Sequence, residues 1–286
     1  MADASILLDV AYDGTDFHGF APQREGRTVH GTLLEALRAL DPSIADARGA
    51  SRTDAGVHAR GQLVAFDPSR ELPPAAWHAE LNRRLPDDLV VTRARTVPRG
   101  FVPRFENLGK RYAYLVRPRS IRDPLERRRA WVFPFAVDVE RMANEIEALV
   151  GTHDFQAFRR AADERVDTVR TMIAADVRAE GDLLRVTIEG TGFMYNMVRI
   201  IVGTVVEVGA GRRAPGALAR AIASGDRRDL GLTAPAQGLC LERIYLANDD
   251  DLPLAWTTVG KKRPPSRVAA ESPPSGEHTE RSSDEA

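Results

Sequence analysis

Ala-Ser-Arg-Thr-Asp-Ala-Gly-Val-His-Ala-Arg-Gly, residues 50–61, runs directly into Gln62-Leu63-Val64-Ala65-Phe66. The second piece reads as a strand and the first as a polar, glycine-containing turn, so Asp54 is expected on a loop pinned to a sheet edge. Groups that bind or react are commonly carried on such loops. Asp-Ala-Gly is also an ordinary turn sequence, and position alone does not separate a structural carboxylate from a chemical one.

Outward from this loop, Ser5 to Ala11 reads as a strand ending at the turn Tyr12-Asp13-Gly14-Thr15. Thr28 to Leu40 carries Leu33, Leu34, Leu37 and Leu40 at helical spacing, with Pro42 as the stop. A helix is expected over Trp77 to Leu85 and a strand near Leu89 to Ala94. Arg95 to Lys110 has no clear period and is expected to cross between domains, before a strand at Tyr112 to Val116. A second series opens with Asp138 as N-cap, places Met142, Ile146 and Leu149 on one helix face, and stops at Gly151. Thr171 to Arg178 and Leu183 to Glu189 form a hairpin around Gly181-Asp182. Phe193 to Val208 is apolar nearly all round, as a helix buried on most sides should be. A helix over Pro215 to Ser224 and a strand over Leu239 to Leu246 follow. The expectation is an α+β fold: a domain over 1–105 with the Asp54 loop, a second over 106–248, and a disordered tail over 249–286, where apolar residues become rare.

With 286 residues, 43% hydrophobic and 28% charged, the chain can bury a substantial core. No stretch approaches the roughly 18 apolar residues of a membrane span, and Met1 to Leu8 lacks the pattern of a secretory signal, so a cytoplasmic protein is expected. One cysteine, Cys240, excludes an intrachain disulfide and a zinc site of the CxxC type. The six histidines show no metal-ligand spacing, and no nucleotide-binding glycine pattern occurs; neither metal nor cofactor is expected.

A net charge of −1 gives no nucleic-acid signal for the chain as a whole, but its distribution does. From Arg93 to Arg129 twelve basic residues face three acidic ones, Glu106, Asp123 and Glu126, and Phe101, Phe105, Tyr112 and Tyr114 are interleaved. Such a block is a candidate phosphate footprint, and exposed aromatics can stack on unpaired bases. A solvated face is the plainer account of a charge run.

Arg199 stands in an apolar helix and cannot lose its charge, so it should meet a carboxylate; Asp54, Glu189 and Glu207 are the candidates. Strand alternation puts Tyr112 and Tyr114 on one face, and spacing does not choose between them. Asp13-Gly14-Thr15 after an apolar strand invites an aspartyl phosphatase, but that chemistry needs a second Asp two positions earlier, where Ala11 stands. A tight turn is the better account.

Arg52-Thr53-Asp54-Ala55-Gly56-Val57-His58 resembles the signature of tRNA pseudouridine synthases of the TruA class. The resemblance runs over roughly residues 5 to 247. It takes in Tyr12 to Thr15, Asn82 to Pro86, Arg104-Phe105, Lys110 to Tyr114, His153-Asp154-Phe155 with Phe158-Arg159, Phe193 to Gly203, and Gln237-Gly238-Leu239. Phe20-Ala21-Pro22-Gln23 and Cys240 depart from the family's usual residues. The resemblance implies two α+β halves with mainly antiparallel sheets and an active-site cleft between them. It implies Asp54 as nucleophile, Arg199 in a salt bridge to it, lowering its pKa, and Tyr112 stacked on the target base. Arg52 would fill the gap left by a flipped uridine, and Arg104, Lys110 and Arg111 would bind substrate. The implied substrate is the tRNA anticodon arm at nucleotides 38 to 40, the implied assembly a homodimer, with no metal. A non-catalytic RNA-binding protein of the same fold is the alternative.

Overall fold

The computed structural model describes residues 3–119, 123–159 and 167–260. In chain order its elements are β1 (Ala4–Tyr12), α1 (Val29–Leu40), β2 (Arg48–Gly49), β3 (His58–Phe66), α2 (Pro74–Asn82), β4 (Leu89–Pro98), the single turn α3 (Pro103–Glu106), β5 (Asn107–Pro118), β6 (Trp131–Phe133), α4 (Val139–Ile146), β7 (Gly151–Asp154), β8 (Val169–Glu180), β9 (Leu183–Gly190), α5 (Met197–Gly209), α6 (Ala217–Ser224) and β10 (Leu239–Leu246). Local chemistry accounts for the boundaries. Thr28 caps α1 by accepting from the Gly31 N–H at 3.1 Å, and Asp138 caps α4 by accepting from Arg141 at 3.1 Å. Gly225, at φ 68°, ends α6 in the left-handed conformation.

The fold is α+β, with one mainly antiparallel sheet in the order β4-β1-β3-β10-β5-β9-β8-β7, to which β2 adds on β3 and β6 on β5. The last strand in sequence lies in the middle. Cys240 and Leu241 of β10 pair in parallel with His58 and Ala59 of β3, and Leu241 also faces Tyr112 of β5 across an antiparallel ladder. The strand that ends the Asp54 loop and the strand that carries Tyr112 are thereby set one strand apart. Helix α2 packs on β4, while α4 packs on α5 and β8.

Several boundaries differ from the sequence expectations; α2 spans Pro74–Asn82 rather than Trp77 to Leu85, and α6 starts at Ala217 rather than Pro215. Arg95 to Lys110 is not an aperiodic crossover: β4 continues through Pro98, paired with Ala4, and β5 starts at Asn107. Arg93 and Arg95 on this edge strand mask its alternation, and charged edges guard against pairing with another chain. The expected domain boundary at 105/106 falls inside α3, and the sheet runs on through both halves. Helix α5 starts at Met197 rather than Phe193, because Asn196 has φ 60°, outside helical space.

The tail expected from 249 is not free over 249–260. Leu254–Trp256 forms a turn of 3₁₀ helix, and Trp256 is fully buried, stacked on Tyr245 at 4.5 Å between ring centroids. Its Nε1 donates to Glu189 at 2.9 Å. Gly109 makes room for the indole, which a Cβ there would overlap. One tryptophan outweighed a polar composition. The rest of the expected tail, 261–286, lies outside the described residues.

Candidate active site

The loop between β2 and β3 is tied down along its length. Ala50 donates to the Leu63 carbonyl at 2.9 Å. Gln62, fully buried in β3, grips the next residue twice: its Oε1 accepts from the Ser51 N–H at 3.1 Å and its Nε2 donates to the Ser51 carbonyl at 2.7 Å. Thr53 is held by Tyr12 through a 2.8 Å hydroxyl contact, and its carbonyl accepts from the Phe20 N–H at 3.0 Å. At the far end His58 Nδ1 accepts from the Gly14 N–H at 3.0 Å, which leaves Nε2 as the donor to the carbonyls of Arg128 (2.8 Å) and Gln237 (3.1 Å). A Cβ on Gly14 would overlap the Val57 carbonyl, so this approach of β1 to the loop requires glycine. Asp54 is thus presented from a rigid frame.

Its carboxylate opens into a cleft of about 1160 Å³. Arg199, from the first turn of α5, reaches the same floor with Nη1 3.6 Å from Asp54 Oδ2, both side chains about four-fifths buried. The competing carboxylates are engaged elsewhere: Glu207 with Arg213 at 3.0 Å, and Glu189 with Arg111 at 2.6 Å. Burial raises the Asp54 pKa above the ordinary carboxylate value, and the Arg199 charge offsets this only in part. Arg199 lowers the Asp54 pKa as expected, but the net shift is upward. Desolvation outweighs the charge and the long, weak hydrogen bond of a guanidinium 3.6 Å away.

Tyr112 lies in the cleft and Tyr114 does not. Tyr114 is fully buried and spends its hydroxyl on the Pro235 carbonyl at 2.6 Å. Tyr112 meets Ser51 Oγ at 3.1 Å and packs edge-on against Phe193 at 5.1 Å. Burial pushes its phenol up to about 12, so it is a neutral ring at physiological pH.

Among the other expected site residues, Arg52 is exposed at the cleft and makes no ion pair or hydrogen bond among the described residues. Arg104 lines the cleft, as does Lys110, whose Nζ donates to Ser51 Oγ at 2.9 Å. Arg111 is the exception. Strand alternation turns it away from Lys110, and it pairs with Glu189 in the group that holds Trp256. The basic block is likewise divided: Arg95 pairs with Asp9, Arg117 with Glu126 and Arg128 with Asp16, while Arg122 lies outside the described residues. The positive lining of the cleft is assembled instead from Arg48, Arg52, Arg104, Lys110, Arg170 and Arg199 against Asp46, Asp54 and Asp167.

Asp13 accepts from the N–H and hydroxyl of Thr15 at 3.0 and 2.5 Å, a local turn, as the turn account of Tyr12 to Thr15 requires. Ser51, Gln62 and Asn196 were missed in the sequence, as was Tyr195, 42% exposed on the cleft wall. A glutamine inside an apolar strand is the signal that could have found Gln62. Of the two departures from the family pattern, Phe20, Ala21 and Pro22 line the cleft and Cys240 does not.

A family model described as tRNA pseudouridine synthase matches residues 10–106 and 146–245. Among curated relatives, tRNA pseudouridine synthase A of Citrifermentans bemidjiense is 41% identical over 242 residues, 84% of this chain and 97% of that one. The proteins of the same name from Geobacillus kaustophilus (42% over 245 residues; 85% and 95%) and Brevibacillus brevis (43% over 237 residues; 82% and 97%) are similar to the same extent.

Proposed function

The chain belongs to the tRNA pseudouridine synthase family, whose members are isomerases of tRNA uridines, and from that premise we propose that Asp54 is the reactive carboxylate and that the uridines at positions 38, 39 and 40 of the anticodon arm are its targets. The observation that carries the assignment is the meeting of Asp54 and Arg199, from segments far apart in sequence, on the floor of a cationic cleft lined also by Tyr112.

In the reaction the N1–C1′ bond of uridine breaks, the uracil turns in the pocket, and C5 bonds to C1′. The C5 proton leaves and N1 gains one, so the product is an isomer of the substrate. Asp54 serves by attack at C6, by attack at C1′ or by taking a sugar proton; all three need the carboxylate ionised. Burial makes that ion more basic and a stronger nucleophile, and Arg199 keeps it charged at neutral pH.

Tyr112 offers its ring to the displaced base. A uridine in a helical arm must leave its stack to reach the floor, and Arg52, exposed beside Asp54, is placed to enter the space it vacates. Arg104 and Lys110 hold phosphates along the wall. Asp54 comes from the first half of the chain, Tyr112 and Arg199 from later segments. Resemblance further suggests a cytoplasmic homodimer sharing one tRNA; light scattering of the purified protein tests the stoichiometry. No helix of the described residues is long and apolar enough to cross a membrane.

Mapping pseudouridine in tRNA transcripts with uridine at 38, 39 and 40, after incubation with purified protein, tests the substrate. Product at these positions alone is expected. Product elsewhere, or tRNA binding with no product, contradicts the assignment, and the second outcome favours an RNA-binding protein without catalysis.

A further inference from the structure

Three other partly buried arginines close on both oxygens of a carboxylate, whereas two longer pairs, Arg128–Asp16 at 3.3 Å and Arg117–Asp182 at 3.4 Å, involve a more exposed carboxylate. Arg48 reaches the two oxygens of Asp67 at 2.7 and 2.8 Å, Arg27 those of Asp88 at 2.6 and 2.7 Å, and Arg95 both oxygens of Asp9 at 2.7 Å. Arg199 stands off from Asp54 at 3.6 Å, although the pair is at least as buried. Its guanidinium is tethered from the other side. Nε donates to the Ala234 carbonyl at 2.7 Å, and Nη1, the nitrogen nearest Asp54, donates to Asn196 Oδ1 at 2.8 Å.

Asn196 is also unusual in its backbone. It and Arg119 are the two non-glycine residues with positive φ among the described residues, and asparagine tolerates that conformation better than most side chains. An asparagine preceding a helix ordinarily turns its side chain to the first-turn amides. Asn196 caps none of them; its carboxamide faces Arg199 instead.

We propose that Asn196 is a positioning residue: its carboxamide holds the Arg199 guanidinium at a distance from Asp54, so that the cation orients the carboxylate without occupying its lone pairs. The proposal rests on Asp54 being the reactive group. A guanidinium closed on both oxygens would lower their basicity and cover the atoms that must attack. Held back, Arg199 supplies charge and direction and leaves the oxygens open. The other ionisable groups lining the cleft are Lys110 and Tyr112 of β5, Arg48 of β2, Arg52 beside Asp54, His30 with Asp46, Arg104, Asp167 with Arg170, and Tyr195, and Tyr114 lies near Arg199; Asn196 carries no charge itself.

The test is the pH dependence of tritium release in a single turnover, from tRNA labelled at C5 of uridine and saturated with enzyme. Wild type is compared with Asn196→Gly, which keeps the left-handed backbone and removes the acceptor, and with Asn196→Asp, which keeps the acceptor and adds a charge. In Asn196→Gly, Nη1 closes on Asp54: the acid limb moves down by about one pH unit and the plateau rate falls about tenfold, with the Kd for tRNA unchanged. In Asn196→Asp a second carboxylate raises the acid limb. Opposite shifts are the signature that loss of packing does not produce. The proposal is overturned if the limb stays in place in both variants, moves the same way in both, or if only the Kd changes. Asp54→Asn separates the two levels: turnover by that variant sinks the assignment of Asp54, whereas an inactive Asp54→Asn beside unshifted Asn196 variants sinks only the role of Asn196.

Discussion

At the scale of the residue, Asp54 is a carboxylate whose site works against its own ionisation. Its folded pKa is raised above 3.8 by burial, so the folded state holds its proton to higher pH than the unfolded chain does. Its stabilising contribution is therefore complete below the unfolded value and is lost as pH rises through the folded value. At neutral pH the ion weakens the fold. Asp54→Asn is accordingly expected to melt no lower than wild type, because Arg199 keeps its bonds to Asn196 and Ala234; a clear drop in Tm would show that the ion pair holds the site together. The same displacement sets the rate profile. Activity should fall with acidification at a pH above the ordinary aspartate value, and an acid limb below that value would contradict the dominance of burial over the Arg199 charge. The sequence made Asp54 legible through the seven residues around it. It did not make its pKa legible, because the opposing effects, burial and the distance to Arg199, belong to the assembled site.

At the scale of the element, strands and helices were readable where a cap or period stood alone. Asp138 caps its helix in the structure as it does in the sequence, and the helix expected up to Ser224 ends there, at Gly225. Reading failed where one residue overrode the pattern. Apolar Phe193 and Met194 extend the helical run, but Asn196 in the left-handed region forbids helix through that point. Asn196 had no motif of its own, and its role depends on Arg199 one turn later. After β10 the polar composition concealed Trp256, which joins Tyr245, Leu108 and Glu189 in a small second core. Trp256→Ala should destabilise by about 3–5 kcal/mol, since it leaves a cavity over Gly109 and removes one donor from a buried carboxylate. Denaturant unfolding measures this; a loss below about 1 kcal/mol would mean that residues 249–260 are not part of the folded unit.

At the scale of the whole molecule, the sheet is what makes a site from distant segments. Strand β10 sits between β3 and β5 and so sets the Asp54 loop beside Tyr112, and α5 brings Arg199 across the opening. Charge was the least legible property at this scale. Twelve basic residues in one stretch suggested a single footprint, yet neighbouring strand positions point to opposite faces, which sends Lys110 to the cleft and Arg111 to Glu189. The two should therefore differ in tRNA binding. Lys110→Ala is expected to weaken binding and to reduce the slope of log affinity against log salt by about one. Arg111→Ala should leave the slope unchanged and lower stability by removing the counter-ion of Glu189, which keeps its bonds to Tyr245 and Trp256; equal slopes for the two variants would place the RNA path elsewhere. Whether the carboxylate of Asp54 performs the chemistry on tRNA uridine is measured by tritium release from C5-labelled uridine in tRNA by wild type and Asp54→Asn, with EDTA present. Wild type is expected to release the label and Asp54→Asn to be slower by on the order of 10³ or more; no release by wild type, or equal release by the variant, would contradict the account.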